Sequence, residues 1–503
     1  MESFSAEEFD VIVVGGGPGG ATASSLIAMQ RNRVLLLERD HFPRHQIGES
    51  LLPATVHGIC GLLGLADELA AAGFPKKRGG TFRWGKSPEP WTFKFAENSD
   101  ARGGYAYQVE RSKFDKMLLD NARRKGVDVR EGCQVQEILF KDDRAVGVRF
   151  LDEHGSPRIA HARFIIDAGG NQSVQYNPYV GERVYSKFFQ NMALYAYFEN
   201  GARLPPPNQG NILCCAFKDG WFWYIPLSPS LTSVGAVASR ESMKDLEDGH
   251  EATFNYFLEA CPLIKTYLSG AKRVTEGQYG KFRIRKDYSY CNTKFWRPGL
   301  SLIGDAACFV DPVFSSGVHL ATYSALLVAR SINTCLRNPG EVEAPYFTEF
   351  ENRYRREYGN FYQFCSAFYD MEQNTDSYFW AARKILKSGE EGNESFVRLI
   401  AGVSQDDPVF SSGDYFKARI GFGVWFQDML SKSPLGEGVK AAGRTPEFDK
   451  SKFDPSQFMQ GFTSEIVQMQ LLALFKGTRP QDRPIFLDGL IPSRDGLYWA
   501  RSD

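Results

Sequence analysis

Two largely apolar runs open the chain. Asp10 to Val14 is closed by Gly15-Gly16-Gly17-Pro18-Gly19-Gly20, and Arg33 to Leu37 ends at Glu38. A short apolar run that stops at glycines predicts a strand buried on both faces. The spacing from Gly20 to Met29 predicts a helix between them, so the segment predicts a βαβ unit. Phe164-Ile165-Ile166-Asp167, followed by Ala168-Gly169-Gly170, and Leu300 to Gly304 read as further strands of the same kind. The pattern then changes to period two. Residues 81–109 and 180–295 carry aromatics in short alternating runs, of which Trp221-Phe222-Trp223-Tyr224 is the clearest. They predict a mostly antiparallel sheet. Helical spacing returns over Gly317–Leu336 and over about 339–389. Residues 433–456 read as a loop, Phe462–Lys476 as an amphipathic helix, and the tail with Pro480, Pro484 and Pro492 as extended.

The glycine run has a specific use. Gly15 permits a tight turn, Gly17 lets backbone approach a pyrophosphate, and Gly20 lets the helix pack close to the strand. The free N–H groups at the helix start suit phosphate, and Glu38 stands where a ribose-binding acid is expected. Far downstream, Gly304-Asp305-Ala306-Ala307-Cys308-Phe309-Val310-Asp311-Pro312 repeats the strand-to-glycine-turn arrangement. Two such turns so far apart suit one long cofactor, FAD, better than a loosely held nicotinamide. The fold expected is α/β: an FAD-binding Rossmann-like domain of the hydroxylase and glutathione-reductase type, an antiparallel β-sheet substrate domain and a helical C-terminal region. The FAD-binding domain is expected over 1–80, 100–178 and 296–340, the substrate domain over 81–99 and 179–295, and the helical region over 341–503.

Composition adds limits. The chain has 503 residues, with 59 basic and 60 acidic side chains. That balance gives no pull toward nucleic acid or anionic membrane. Nine cysteines, scattered and without a C-x-x-C pair, argue against a disulfide framework or a metal site and for a cytoplasmic location. The acidic start (Glu2, Glu7, Glu8) runs straight into a strand, which argues against a signal peptide, and no apolar run is long enough for a membrane span.

The glycine motif at 15–20, Gly48-Glu49-Ser50-Leu51-Leu52-Pro53, Trp221-Phe222-Trp223-Tyr224-Ile225-Pro226 and the Gly304-Asp305 segment occur in an order that resembles the FAD-dependent halogenases. The likeness runs from about residue 9 to about 425. It is nearest to the phenol- and pyrrole-acting branch, the chondrochloren type above all. The resemblance implies that reduced FAD (FADH2) reacts with O2 to give a C4a-hydroperoxide. Chloride or bromide attacks it, and the hypohalous acid formed reaches a lysine beside the organic substrate. That lysine aligns with Lys77, in Phe74-Pro75-Lys76-Lys77-Arg78-Gly79-Gly80, with Lys76 as the alternative one residue away. A run of three cations is more often a solvated turn.

The same resemblance implies that Trp221 and Trp223 form a wall between flavin and substrate, and that Ser316 and Gly317 hold the halide on their N–H groups. Gly15, Gly17, Gly20, Glu38, Arg44, Ser50, Arg111, Asp305, Gly317 and Val318 would bind FAD, with Arg111 as a guanidinium fork on phosphate. Asp305 would bind the ribityl chain. Tryptophan-acting members carry a glutamate where this chain has Phe314, which favours a phenol, already activated by its own oxygen. His45 and His319 are candidate bases. The substrate expected is a phenolic ring, free or tyrosine-derived and held on a peptidyl carrier protein, in secondary-metabolite biosynthesis. A separate NAD(P)H-dependent flavin reductase would supply the reduced flavin. The alternative is a flavin-dependent aromatic hydroxylase of the same fold.

Overall fold

A computed structural model of the chain describes residues 7–86, 88–96, 99–100, 102–175, 179–239, 242, 249–370, 382, 385, 392–403, 407–411, 484–486 and 489–501. The expected loop at 433–456 and helix at Phe462–Lys476 lie outside the described residues.

The first sheet is built on Glu7–Val14, which pairs in parallel with Val34–Leu37 on one side and Pro157–Asp167 on the other. Asp128–Arg130 extends it in parallel beyond Val34–Leu37, and Leu300–Leu302 beyond Pro157–Asp167. Two antiparallel strands, Gln134–Lys141 and Arg144–Leu151, fold over the start of Pro157–Asp167. The helix Pro18–Ala28 is buried along its whole length. Its small residues allow this: a Cβ on Gly19 would stand 3.3 Å from the Ala321 carbonyl oxygen of the crossing helix Ser316–Arg337.

The second sheet runs Cys308–Phe309, Arg283–Asn292, Arg183–Glu199, Leu231–Ser239, Gly220–Pro226, Ile212–Phe217, Gly79–Arg83, Trp91–Lys94. It is antiparallel except where Ile212–Phe217 meets Gly79–Arg83 in parallel. Alternation sorts its faces. Phe222 and Tyr224 join Phe254 and Phe257 in one apolar cluster, while Trp221 and Trp223 belong to the main core on the other side.

Three details differ from the sequence reading. The strand expected to reach Gly304 ends at Leu302, and Gly304 begins a 3-10 turn with φ +56°. Cys308–Phe309, placed by sequence with the nucleotide-binding segment, pairs instead with Arg283–Asn292 of the second sheet. The last region is helical over Ala344–Phe368, Gly392–Ile400 and Pro408–Ser411, but ends in a short antiparallel ladder, Ile491–Pro492 against Trp499–Ala500.

That ladder is held by buried charge. Arg330 grips Asp407 with both nitrogens, at 2.6 and 2.9 Å, and donates Nε–H to the Gly496 carbonyl at 2.6 Å. The guanidinium groups of Arg330 and Arg353 stand 5.2 and 4.9 Å from the centre of the Trp499 ring. No helix among the described residues is long and apolar enough to cross a membrane. Removing one partner of a buried pair strands the other charge. Arg330→Ala is therefore expected to cost about 3–5 kcal/mol, read as a lower midpoint in urea unfolding of the whole chain.

Candidate active site

A cavity of about 450 Å³ opens where the two sheets meet. One end is the glycine turn. Gly15 has φ +100°, and a Cβ there would lie 2.6 Å from the Ala168 carbonyl oxygen; a Cβ on Gly20 would lie 1.9 Å from the Gly15 oxygen. Only glycine fits either place, and the second contact is what draws the helix onto the strand. The helix begins at Pro18, which has no N–H, and carries no side-chain cap; Gly17, Pro18 and Gly19 line the cavity, and the N–H groups of the first turn have no partner within the helix. Glu38 accepts the Gly16 N–H at 2.6 Å and the Asp40 N–H at 2.9 Å, which fixes its carboxylate at the cavity wall. The Arg44 guanidinium stands beside Gly17 and pairs with Asp115 at 3.0 Å.

Gly15, Gly17, Glu38, Arg44, Ser50, Arg111, Asp305, Gly317, Val318, Trp221 and Trp223 all line this one cavity. Gly20 supports it from behind. Arg111, on the cavity wall, is engaged within the chain. Its Nε and Nη2 grip Asp115, at 2.7 and 2.9 Å, and its Nη1 donates to the carbonyls of Ile47 and Gly48. It orders the start of the Gly48-Glu49-Ser50 loop. Asp305 faces Arg285 at 3.6 Å, and burial raises its carboxyl above the usual range. The Ser50 hydroxyl and one Glu49 carboxylate oxygen are buried without a hydrogen-bond partner at this wall. Buried polar atoms left open, glycine-only approaches at one end and an acid at the strand tip fit a dinucleotide cofactor such as FAD.

The opposite end is aromatic. Trp221 and Trp223 sit on one face with ring centres 6.3 Å apart. Each indole is tethered. Trp221 Nε1–H donates to Tyr369 Oη at 2.7 Å, and Tyr369 donates in turn to Asp311 at 2.8 Å. Trp223 Nε1–H donates to Ser233 Oγ at 3.2 Å. Its ring fills the space over Gly235, directly across the strand pair.

Lys77 is buried, with 3 % exposure. Its Nζ donates to the Leu51 carbonyl at 3.0 Å and to Ser315 Oγ at 3.4 Å. Burial pulls it from its ordinary 10.5 to about 7. Lys76 points outward, 3.7 Å from exposed Asp100 and over the Tyr105 ring. Lys77 is not itself on the cavity wall; Ser315 is, and bridges the two. Ser315 has φ +59° and caps the helix Ser316–Arg337 without closing its side chain onto it. The first N–H groups of that helix, Ser316 and Gly317, therefore have no partner within it. Space beside Gly317 is open. Phe314 turns away into an aromatic cluster, stacked on Phe364 at 4.9 Å and edge-on to Phe368 at 4.8 Å.

The two histidines part company. His45 lines the cavity with Nε2 2.8 Å from Tyr197 Oη, and burial pushes it down to about 4. Tyr197 also donates to Glu49, whose carboxyl burial pushes up to about 7. His319 is buried against Glu357 at 2.9 Å, away from the cavity wall. Among the described residues no cluster of His, Cys, Asp or Glu is placed to hold a metal ion.

The sequence reading did not single out Tyr369, Tyr197 or Gly235, and it took Ser315 and Asp311 only as members of the loop before the helix Ser316–Arg337, without their contacts to Lys77 and Tyr369. Gly235 had a signal, since a glycine inside a strand marks a close approach. Asp115, four residues after Arg111, also had one. Tyr369 had none, because its partner is 148 residues away.

Comparison with known proteins bears on this geometry. The sequence profile described as tryptophan halogenase matches residues 10–104 and 98–433. A tryptophan 2-halogenase of Chondromyces crocatus is 36 % identical over 407 residues, 78 % of this chain and 75 % of that one. A flavin-dependent halogenase of Metacordyceps chlamydosporia is 32 % identical over 353 residues, covering 65 % of each chain. The structure of the myxobacterial chondrochloren halogenase aligns with a TM-score of 0.74 and 60 % identity, over 98 % of this chain and 100 % of that one.

Two outcomes follow from the packing. Gly235→Ala would put a Cβ 2.2 Å from the Trp223 ring. Displacing the indole is expected to cost about 1–3 kcal/mol, with a shift in tryptophan fluorescence at equal secondary structure by circular dichroism. Lys77→Met tests the buried amine. Between pH 7 and 10.5 the unfolded chain carries a proton that folded Lys77 lacks, so stability rises with pH through that window. Below pH 7 both states carry it and the burial cost is felt in full, on the order of 5 kcal/mol. Lys77→Met is thus expected to unfold at higher urea than the parent at pH 6.5, the gap narrowing toward pH 10.

Proposed function

The chain belongs to the tryptophan halogenase family of flavin-dependent halogenases, and from that premise we propose that Lys77 presents the halogenating oxidant to an electron-rich aromatic ring. Reduced FAD, bound along the cavity, supplies with O2 and a halide the electrophilic halogen. Each remaining role falls to a residue described above. The glycine turn, the uncapped helix start at Pro18 and the Glu38 carboxylate hold the dinucleotide's phosphate and ribose end. Asp305 takes the ribityl hydroxyls. The N–H groups of Ser316 and Gly317 hold chloride or bromide at a helix start. Trp221 and Trp223, tethered through Tyr369 and Ser233, keep the organic ring off the flavin.

One observation carries this reading: Ser315 lines the cavity and touches Lys77 with the same side chain. An oxidant released at the Ser315–Gly317 turn is therefore one residue from a buried amine. An amine brought to about 7 by burial exists in both forms at neutral pH. As ammonium it polarises hypohalous acid by hydrogen bonding; as free amine it accepts the halogen. Arg111 contributes by ordering the Gly48–Ser50 loop.

Phe314 supports a phenolic substrate. It offers no acid or base near the lysine, so the ring must bring its own activating oxygen. The phenol is free or held on a carrier protein. The Chondromyces relative's activity, as its name states it, makes an indole the second reading. Among the described residues one βαβ glycine turn of the dinucleotide type is present, which supports a separate NAD(P)H-dependent reductase as the source of reduced flavin. All nine thiols are free, in keeping with a cytoplasmic setting.

The test uses the purified chain with FAD, a flavin reductase, NADH, bromide and a panel of phenols and indoles, read by product mass. A bromine isotope doublet on a phenol is expected; oxygen insertion without bromine would favour the hydroxylase instead. Lys77→Ala is expected to lower bromination at least a hundredfold while FAD still binds. Lys76→Ala is expected to keep activity near the parent's. Retained bromination in Lys77→Ala would refute the assignment.

A further inference from the structure

Cys291 and Cys308 face each other across the short ladder that joins Arg283–Asn292 to Cys308–Phe309. The hydrogen bond from Asn292 N–H to the Ala307 carbonyl, 2.9 Å, makes the neighbouring residue pair a non-hydrogen-bonded one. At such a pair the two Cα atoms stand about 4.5 Å apart and both side chains leave the same face. That lies inside the range a disulfide spans. Both thiols are free, and Cys291 is half-buried while Cys308 is buried.

A cation completes the arrangement. Arg355, held by Glu351 at 2.7 Å, places Nη1 3.3 Å from Cys291 Sγ. The Cys308 thiol and the Arg355 guanidinium together hold Cys291 below the usual thiol range, while burial pushes Cys308 above it. The pair is thus asymmetric: one thiol is inclined to ionise and reachable, the other protonated and enclosed. The groups facing it are Arg355, Glu351, Tyr354 and Tyr358 from Ala344–Phe368 and Asp305 from the 3-10 turn. Cys215 and Cys261, with sulfurs 3.1 Å apart, lie deep in the second apolar cluster, each 2 % exposed.

We propose that Cys291 and Cys308 are an oxidation site of this protein, converted by hydrogen peroxide into a cross-strand disulfide. Cys291 thiolate attacks peroxide, with uptake of a proton, to give the sulfenic acid and water. Cys308 sulfur then displaces the second water as the S–S bond forms. Two thiols lose two electrons and one peroxide gains them. A flavin that reoxidises in O2 without transferring oxygen releases such peroxide, and Phe309, next to Cys308, lines the cavity. The source of peroxide rests on the flavin reading; the pairing of the two cysteines rests on the strand register and the Arg355 contact.

The test separates the two by adding reagent peroxide to the full chain without FAD. After alkylation of free thiols, unreduced peptides are mapped by mass. The expected result is loss of two of the nine thiols, with the peptides bearing Cys291 and Cys308 joined and released again by dithiothreitol. Arg355→Gln is expected to slow the first step several-fold at pH 7, with the rates converging above pH 9, and Arg355→Lys to restore part of it. Retention of both thiols, or a link at Cys215–Cys261 in their place, overturns the proposal.

Discussion

A primary amine is buried here with a carbonyl and a hydroxyl for company, and among the described residues no carboxylate pairs with it. That constraint organises the centre of the molecule. Leu51 supplies the carbonyl from the loop after Gly48-Glu49-Ser50, Ser315 the hydroxyl from the turn before the long helix, and Cys214 and Phe95 the apolar surroundings. Four segments distant in sequence must be in register for Lys77 to be dry. An acid placed beside it would restore the ordinary ammonium and remove the chemistry that a neutral amine allows. The short strand Lys76–Lys77 against Ala106–Tyr107 achieves the placement by alternation: one lysine turns inward and its neighbour outward.

The two ends of the cavity are built by opposite means. At the nucleotide end side chains are removed, so that backbone can approach backbone at Gly15 and Gly20. At the aromatic end they are enlarged, and each indole nitrogen is given a hydroxyl to hold. Gly235 joins the two strategies, since one absent side chain makes room for the largest. Arg111 shows how much of the loop between them is electrostatic: its fork is used on Asp115 and its remaining donors on two carbonyls.

The βαβ unit was legible because continuous apolar runs and glycine spacing are local signals, and they appear at Glu7–Val14, Pro18–Ala28 and Val34–Leu37 within a few residues of expectation. The two-residue alternation of Trp221 and Trp223 likewise put both indoles on one face. The choice between Lys76 and Lys77 was not legible, because adjacent identical residues differ only in which face of a strand they take. Where the Arg111 fork turns was not legible for a related reason. A guanidinium can serve phosphate or carboxylate equally well, and in this structure the i,i+4 partner Asp115 takes it. Tyr369, Ser315 and the Cys291–Cys308 register depend on contacts between segments that sequence periodicity does not relate.

Tyr369 lies just past the helix Ala344–Phe368, and it is what anchors the Trp221 indole. Terminal turns are the first parts of a helix to fray. The rigidity of the Trp221 indole at the cavity wall is therefore borrowed from a helix terminus some distance along the chain. A partner or a bound molecule that stiffened that end would fix this wall without touching it, and one that unwound it would set the indole loose.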